Sequence, residues 1–80
     1  MSKTRPDWGR LKISARNVFK GTIKLVIWGT VSCEVILEIA PGIELTSTIT
    51  RASAENLNLS EGKQVYAVIK SSNVMIAQDE

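Results

Sequence analysis

Val31-Ser32-Cys33-Glu34-Val35-Ile36-Leu37-Glu38-Ile39 is the stretch whose reading decides the fold. Val31, Cys33, Val35, Leu37 and Ile39 hold one face, and Ser32, Glu34, Ile36 and Glu38 hold the other. A period of two with one apolar and one mostly polar face is the signature of a strand buried on one side and solvated on the other. Cys33 lies on the buried face, so its thiol reads as an inert core group rather than a reactive one.

Upstream, the strand pattern begins at Val18. Ile23, Leu25 and Ile27 alternate with Thr22, Lys24 and Val26, and Gly21 within the run predicts a bulge or a close backbone approach. Trp28-Gly29-Thr30 marks a turn between the two strands. Downstream, Pro41-Gly42 is a strong turn signal, because proline presets φ and glycine accepts the positive φ that follows. A third strand places Ile43, Leu45, Ser47 and Ile49 on one face and Glu44, Thr46, Thr48 and Thr50 on the other. Ser53 is the expected N-cap of one short helix, Ala54 to about Leu57, with Glu55 in its first turn. Leu57 and Leu59 are expected to plug the end of the sheet, and Glu61-Gly62 turns the chain again. The last strand runs from Gln64 through Val65, Ala67 and Ile69, then passes Lys70-Ser71-Ser72-Asn73 into Val74, Met75 and Ile76. Strands of this kind with one helix before the last predict an all-β fold, a small OB-like Greek-key β-barrel.

Eighty residues make one domain. Residues 1–10 read as a polar N-terminal tail in which Trp8 is the one odd feature, 11–77 as the folded unit, and 78–80 as a C-terminal tail. A chain this short buries only roughly 60–65% of the surface its unfolded form exposes, so its core is marginal alone. With one cysteine and no histidine, neither an internal disulfide framework nor a zinc-type ligand set is available. Oligomerisation is the remaining remedy. A net charge of +2, from ten basic and eight acidic side chains, is too balanced to point to nucleic acid. No apolar run reaches the ~18 residues of a membrane span. Lys3, Arg5 and Arg10 are not followed by the apolar core of a secretory signal, so the expected location is the cytoplasm.

Enzymatic chemistry is hard to build from these residues, and no catalytic residue is identified. There is no histidine base, the only thiol is assigned to the core, and the five glycines are too scattered for a phosphate loop. Lys24, Arg51 and Lys63 read as surface charge. Two segments stand apart: Ser14-Ala15-Arg16-Asn17 and Lys70-Ser71-Ser72. Each sets one cation beside small hydroxyl or amide side chains and contains no carboxylate. Charge-assisted bonds from arginine and lysine are roughly twice as strong as neutral ones. A site of donors satisfies an unprotonated tetrahedral dianion. Hydrogen phosphate brings an O–H that, left without an acceptor, costs on the order of 1–3 kcal/mol. Such a site favours sulfate, molybdate or tungstate over phosphate. On composition alone, the plainer reading is a polar turn leading into the first strand and an irregular break near the last.

Leu11-Lys12-Ile13-Ser14-Ala15-Arg16-Asn17 resembles the opening of the molybdate-binding Mop domain, the unit of the small molbindins. The resemblance continues through Gly29-Thr30-Val31-Ser32-Cys33-Glu34-Val35, Leu45-Thr46-Ser47-Thr48-Ile49-Thr50, Ser53 with Leu57 and Leu59, Glu61-Gly62, and Val65 to Met75. It covers nearly all of residues 11–77, in order. It implies an OB-like subunit assembling into a homohexamer, a trimer of dimers, with molybdate or tungstate held by hydrogen bonds between subunits and no metal ion bound directly to side chains. The family's binding residues map onto Ser14, Arg16 and Asn17 and onto Lys70, Ser71 and Ser72, with Ala15 contributing through its backbone amide. Ser71 departs from the family's common alanine, and Ser32 from its frequent asparagine.

The resulting expectation is an intracellular protein that binds, stores and buffers molybdate or tungstate without catalysing a reaction. Its partners are further copies of itself and the oxyanion, with no nucleic acid and no membrane. Two readings from other classes stand beside it. One is a single-stranded nucleic-acid-binding OB module, which needs clustered aromatics in a basic groove, whereas Trp8, Phe19, Trp28 and Tyr66 are spread along the chain. The other is a purely structural oligomerisation domain.

Overall fold

A computed structural model describes residues 16–79. The expectations for the tail, for Trp8 and for Ser14 and Ala15 lie outside those residues. Four strands, β1 (Asn17–Trp28), β2 (Ser32–Ala40), β3 (Ile43–Thr50) and β4 (Gln64–Ile69), form one antiparallel sheet in the order β3-β2-β1-β4. One helix, α1 (Arg51–Asn56), precedes β4, and a 3-10 turn at Ser71–Asn73 follows it. Three strands joined by hairpin turns, with the fourth returning beside the first, make a Greek key. β1 is the hub, since its first half pairs with β4 (Asn17↔Ile69 to Thr22↔Gln64) and its second half with β2 (Thr22↔Glu38 to Trp28↔Cys33). The sheet curls into a half-barrel with β3 and β4 as its edges.

The central strand behaves as its alternation requires. Cys33, Val35 and Leu37 are buried, and with Ile23 they form the inner face. Val26, Ile49, Leu59, Val65 and Ala67 pack against that cluster. Val31 does not join it. It sits in the turn before β2 and is 76% exposed.

In β1 the simple period of two fails at one residue. Ile23 pairs with Leu37 but Leu25 pairs with Ile36, so Lys24 is an extra residue, a β-bulge. One inserted residue flips every later side chain to the other face. Val26 therefore turns inward, while Leu25 and Ile27, expected on the face of Ile23, are 40% and 49% exposed. Gly21 marks the close approach and not the bulge. A Cβ there would stand 3.0 Å from the Glu38 carbonyl oxygen and 3.1 Å from Ile39 Cγ2.

The helix starts three residues earlier than Ser53 suggested. Thr50 Oγ1 accepts the Ser53 backbone N–H at 3.1 Å, so Thr50 is the N-cap and Ser53 the third helical residue. Glu55 consequently falls in the last turn, where it accepts from Arg51 Nε at 3.0 Å. The other end closes in a Schellman pattern: Leu59 N–H donates to the Ala54 carbonyl and Asn58 N–H to that of Glu55. Asn58, at φ 54°, takes the left-handed position. Lys63 adds its ammonium to the freed Leu57 carbonyl. Leu59 plugs the inner face as expected, whereas Leu57 is 57% exposed. Pro41-Gly42 and Glu61-Gly62 turn as read, with positive φ at both glycines.

Candidate functional site

The two donor-rich segments are 53 residues apart between Asn17 and Lys70, and the β1–β4 ladder brings them together. Asn17↔Ile69 is its terminal pair. Arg16 and Lys70 each stand one residue outside that terminal pair, at the same end of the ladder. Asn17 fixes the rung a second time, its Nδ2 donating to the Ile69 carbonyl oxygen at 3.3 Å. The acceptor identifies which end of the amide faces Ile69, because a carbonyl can only receive. One of Asn17's donors is thus committed within the chain.

Beyond Ile69 the backbone stays extended at Lys70 (φ −65°, ψ 139°) and then tightens through Ser71, Ser72 and Asn73. The Asn73 N–H donates to the Lys70 carbonyl at 2.9 Å and the Val74 N–H to that of Ser71 at 3.3 Å. The two serines of this turn follow Lys70 directly at the end of β4. All four residues are exposed. Among the described residues, the ion pairs are Lys24 with Glu44 and Arg51 with Glu55, so neither Arg16 nor Lys70 has a carboxylate partner there.

Like charges opposite one another on a ladder disfavour the pairing. Here two cations and two hydroxyls share one end of the sheet, a constellation that an anion stabilises. The surface is open on one side and does not enclose a small ion by itself. Five of the seven residues singled out from sequence lie within the described residues: Arg16 and Asn17 at the start of β1, and Lys70, Ser71 and Ser72 directly after β4, on either side of the Asn17↔Ile69 pair. Ser14 and Ala15 lie outside the described residues, directly before Arg16. Sequence reading missed the cross-strand role of Ile69, whose carbonyl aligns Asn17. The signal for it is register, which becomes visible only once β1 and β4 are known to pair. Among the described residues no group of three or more histidine, cysteine, aspartate or glutamate side chains is arranged to hold a metal ion, and no helix is long and apolar enough to cross a membrane.

Comparison with known proteins gives concordant findings by family, by sequence and by structure. Residues 13–76 match the TOBE domain. The chain is 50% identical over 66 residues to molybdenum-pterin-binding protein 3 of Clostridium pasteurianum, covering 82% of this chain and 97% of that one. Among solved structures it is similar to MopII of the same organism, with a TM-score of 0.79 and 46% identity over 84% of this chain and all of the other. It is also similar to the cytoplasmic molybdate-binding protein ModG, solved with molybdate bound, with a TM-score of 0.71 and 40% identity over 82% of this chain and 53% of that one. These neighbours share the OB-like fold of the curled antiparallel sheet described above.

Proposed function

The chain belongs to the TOBE-domain family, and from that premise we propose that it binds molybdate, with tungstate as the alternative ion, and serves as an intracellular store for it. The observation that carries this reading is that Arg16 and Lys70 each stand one residue beyond the terminal Asn17↔Ile69 pair of β1 and β4, with Ser71 and Ser72 following Lys70. Donors and positive charge are concentrated there without a described carboxylate, which suits a doubly charged tetrahedral oxyanion. Ser14 and the backbone amide of Ala15, next along the chain, complete the donor set. The protein holds the ion reversibly by hydrogen bonds and catalyses no reaction. The functional unit is residues 11–77.

The site is half of a junction. Its residues are exposed in one chain, and the apolar surface left over is large for an 80-residue protein: Leu25, Ile27, Trp28, Val31 and Ile43 are all at least 40% exposed. Burying such side chains stabilises by about 1.5–3 kcal/mol each, which favours assembly. The assembly proposed is a homohexamer, a trimer of dimers, in the cytoplasm, with oxyanions between subunits. A stacking platform for single-stranded nucleic acid is not supported, because Phe19 and Trp28 stand near opposite ends of β1 and Tyr66 is half-buried.

Calorimetric titration of the purified oligomer with molybdate, tungstate, sulfate and phosphate tests the reading. Saturable heat with the first two and weak or no heat with phosphate is expected. No heat with molybdate on a folded oligomer overturns it.

A further inference from the structure

β1 changes partners at Thr22, which pairs with Glu38 of β2 on one side and with Gln64 of β4 on the other. Residues directly opposite one another project from the same face of a sheet, so these three side chains share one side. Lys20, two residues back along β1, joins them. The face is the outer one, because the next residue, Ile23, is buried in the core. Lys20, Thr22, Glu38 and Gln64 line an open cavity of about 440 Å³ whose apolar wall is Ile39, Ala40 and Pro41.

The charges around this cavity are opposite but not joined. Glu38 stands opposite Glu44 on the β2–β3 ladder, an unfavourable pairing of like charges. Lys24 answers Glu44, at 3.6 Å. The half-buried Glu38 receives the Gly42 N–H on one carboxylate oxygen, at 3.2 Å. Among the described residues the ion pairs are Lys24 with Glu44 and Arg51 with Glu55, so neither Glu38 nor the exposed Lys20 has an opposite charge in contact there. An anion alone entering the cavity meets the Glu38 carboxylate, and a cation alone meets the Lys20 ammonium. A ligand that carries both charges satisfies both poles.

We propose that this cavity binds a free α-amino acid as its zwitterion, with an apolar side chain such as that of leucine. The α-ammonium donates to Glu38, and the α-carboxylate accepts from Lys20, both as charge-assisted bonds. The Thr22 hydroxyl and the Gln64 amide, on the same face, add neutral donors to the carboxylate. Ile39, Ala40 and Pro41 receive the side chain. A residue inside a peptide carries neither α-charge, so the ligand is the free amino acid. The cavity lies at the Thr22↔Gln64 end of the β1–β4 ladder, and the oxyanion residues lie at the Asn17↔Ile69 end. The inference therefore stands apart from the oxyanion reading and does not rest on it.

The test is equilibrium dialysis of the full chain, in the form in which it purifies, against radiolabelled L-leucine raised to its solubility limit. Saturable binding is expected. Isopentylamine and isocaproate keep the side chain and one charge each, and both are expected to compete at least about tenfold more weakly than unlabelled leucine. Glu38→Gln keeps an acceptor for the Gly42 N–H, and Lys20→Met keeps the apolar stem. Each should weaken leucine binding about tenfold or more while the melting temperature stays near that of the parent. Absence of saturable binding overturns the proposal. So does a single-charge competitor as strong as leucine, which is decided on the unmodified chain without either variant, and so does unchanged affinity in both variants. Displacement of leucine by molybdate would move it to the oxyanion end and overturns the proposal as well. Leucine binding that persists in molybdate supports the separate site, and molybdate titration without leucine tests the oxyanion reading by itself.

Discussion

Asn17 and Ile69 are joined twice, as the terminal pair of the β1–β4 ladder and by the bond from Asn17 Nδ2 to the Ile69 carbonyl oxygen at 3.3 Å. Strand ends fray, and this one carries a cation immediately outside each strand. The side-chain bond holds the rung at which Arg16 and Lys70 would otherwise push apart.

Removing that bond should therefore affect binding more than folding. Asn17→Ala is expected to cost about 0.5–1.5 kcal/mol in urea denaturation, the ordinary worth of a net hydrogen bond. Molybdate affinity should fall by roughly five- to tenfold, equivalent to about 1–1.4 kcal/mol. Asn17→Asp keeps the size but sets a carboxylate where a dianion approaches, so its loss in calorimetry should be larger than that of alanine. Equal affinities for the two variants would mean that Asn17 does not stand at the anion site.

Arg16→Ala and Lys70→Ala should separate charge from scaffold. Without anion, each relieves like-charge repulsion, so thermal stability should be unchanged or slightly higher. With molybdate at a hundred times its dissociation constant, a wild-type site gains about 2.7 kcal/mol by mass action. Each variant should lose most of that ligand-dependent rise in a melting experiment at the same molybdate concentration. A variant that melts early without ligand and keeps its molybdate shift would assign the residue to structure.

Much of this fold is legible in the sequence, and the exceptions share a cause. Alternation along residues 33–37 and 64–69 depends on local pattern alone, and both strands form as read. Alternation alone puts Leu25 and Ile27 on the face of Ile23, and the bulge at Lys24 changes that parity without changing composition. Ser53 looked like an N-cap because serine caps well, but Thr50 caps equally well and comes first as β3 ends. Val74–Ile76 read as strand from their apolar character, yet in the described chain they pair with neither edge of the sheet. At the site, residue types pointed to an anion. That Asn17 pairs with Ile69, which sets the two segments at one end of the sheet, is not readable locally, because it follows from β1–β4 register across 52 residues of sequence.

Gly21 should resist substitution for a steric reason. An added Cβ meets backbone, the Glu38 carbonyl oxygen at 3.0 Å, as well as Ile39 Cγ2 at 3.1 Å. Backbone cannot rotate away as a side-chain tip can, so β1 and β2 must separate where β2 ends. Gly21→Ala is expected to destabilise by about 1–3 kcal/mol, the usual range for overpacking. Gly42, by contrast, has open space around its Cβ position, and Gly42→Asn should be tolerated because asparagine adopts positive φ more readily than other side chains. Denaturant midpoints for the two variants check the contrast. A Gly21→Ala protein as stable as wild type would show that the strands yield there freely.

Arg51 offers the sharpest test of a residue that looked like plain surface charge. Its guanidinium donates to the Gly29 carbonyl at 3.1 Å and to Glu55 at 3.0 Å, and lies 5.7 Å from the centre of the Trp28 ring. Its backbone N–H also donates to the Val31 carbonyl at 2.8 Å, so one residue pins α1 to the β1–β2 turn. Because the Arg51 side chain is 46% exposed, solvent screens the ion pair and its own share is small. Arg51→Ala should cost about 1–2 kcal/mol in all, from the carbonyl bond and the cation–π contact. Arg51→Lys should lose nearly as much, since an ammonium cannot hold two acceptors in a planar fork while lying over a ring. Raising salt to about 1 M, where screening acts within roughly 3 Å, should remove only the Glu55 contribution. In a Trp8→Phe background, where Trp28 is the one remaining tryptophan, fluorescence followed through denaturant unfolding reports on the contact, and a lysine variant matching its parent in both midpoint and emission would refute this account of Arg51.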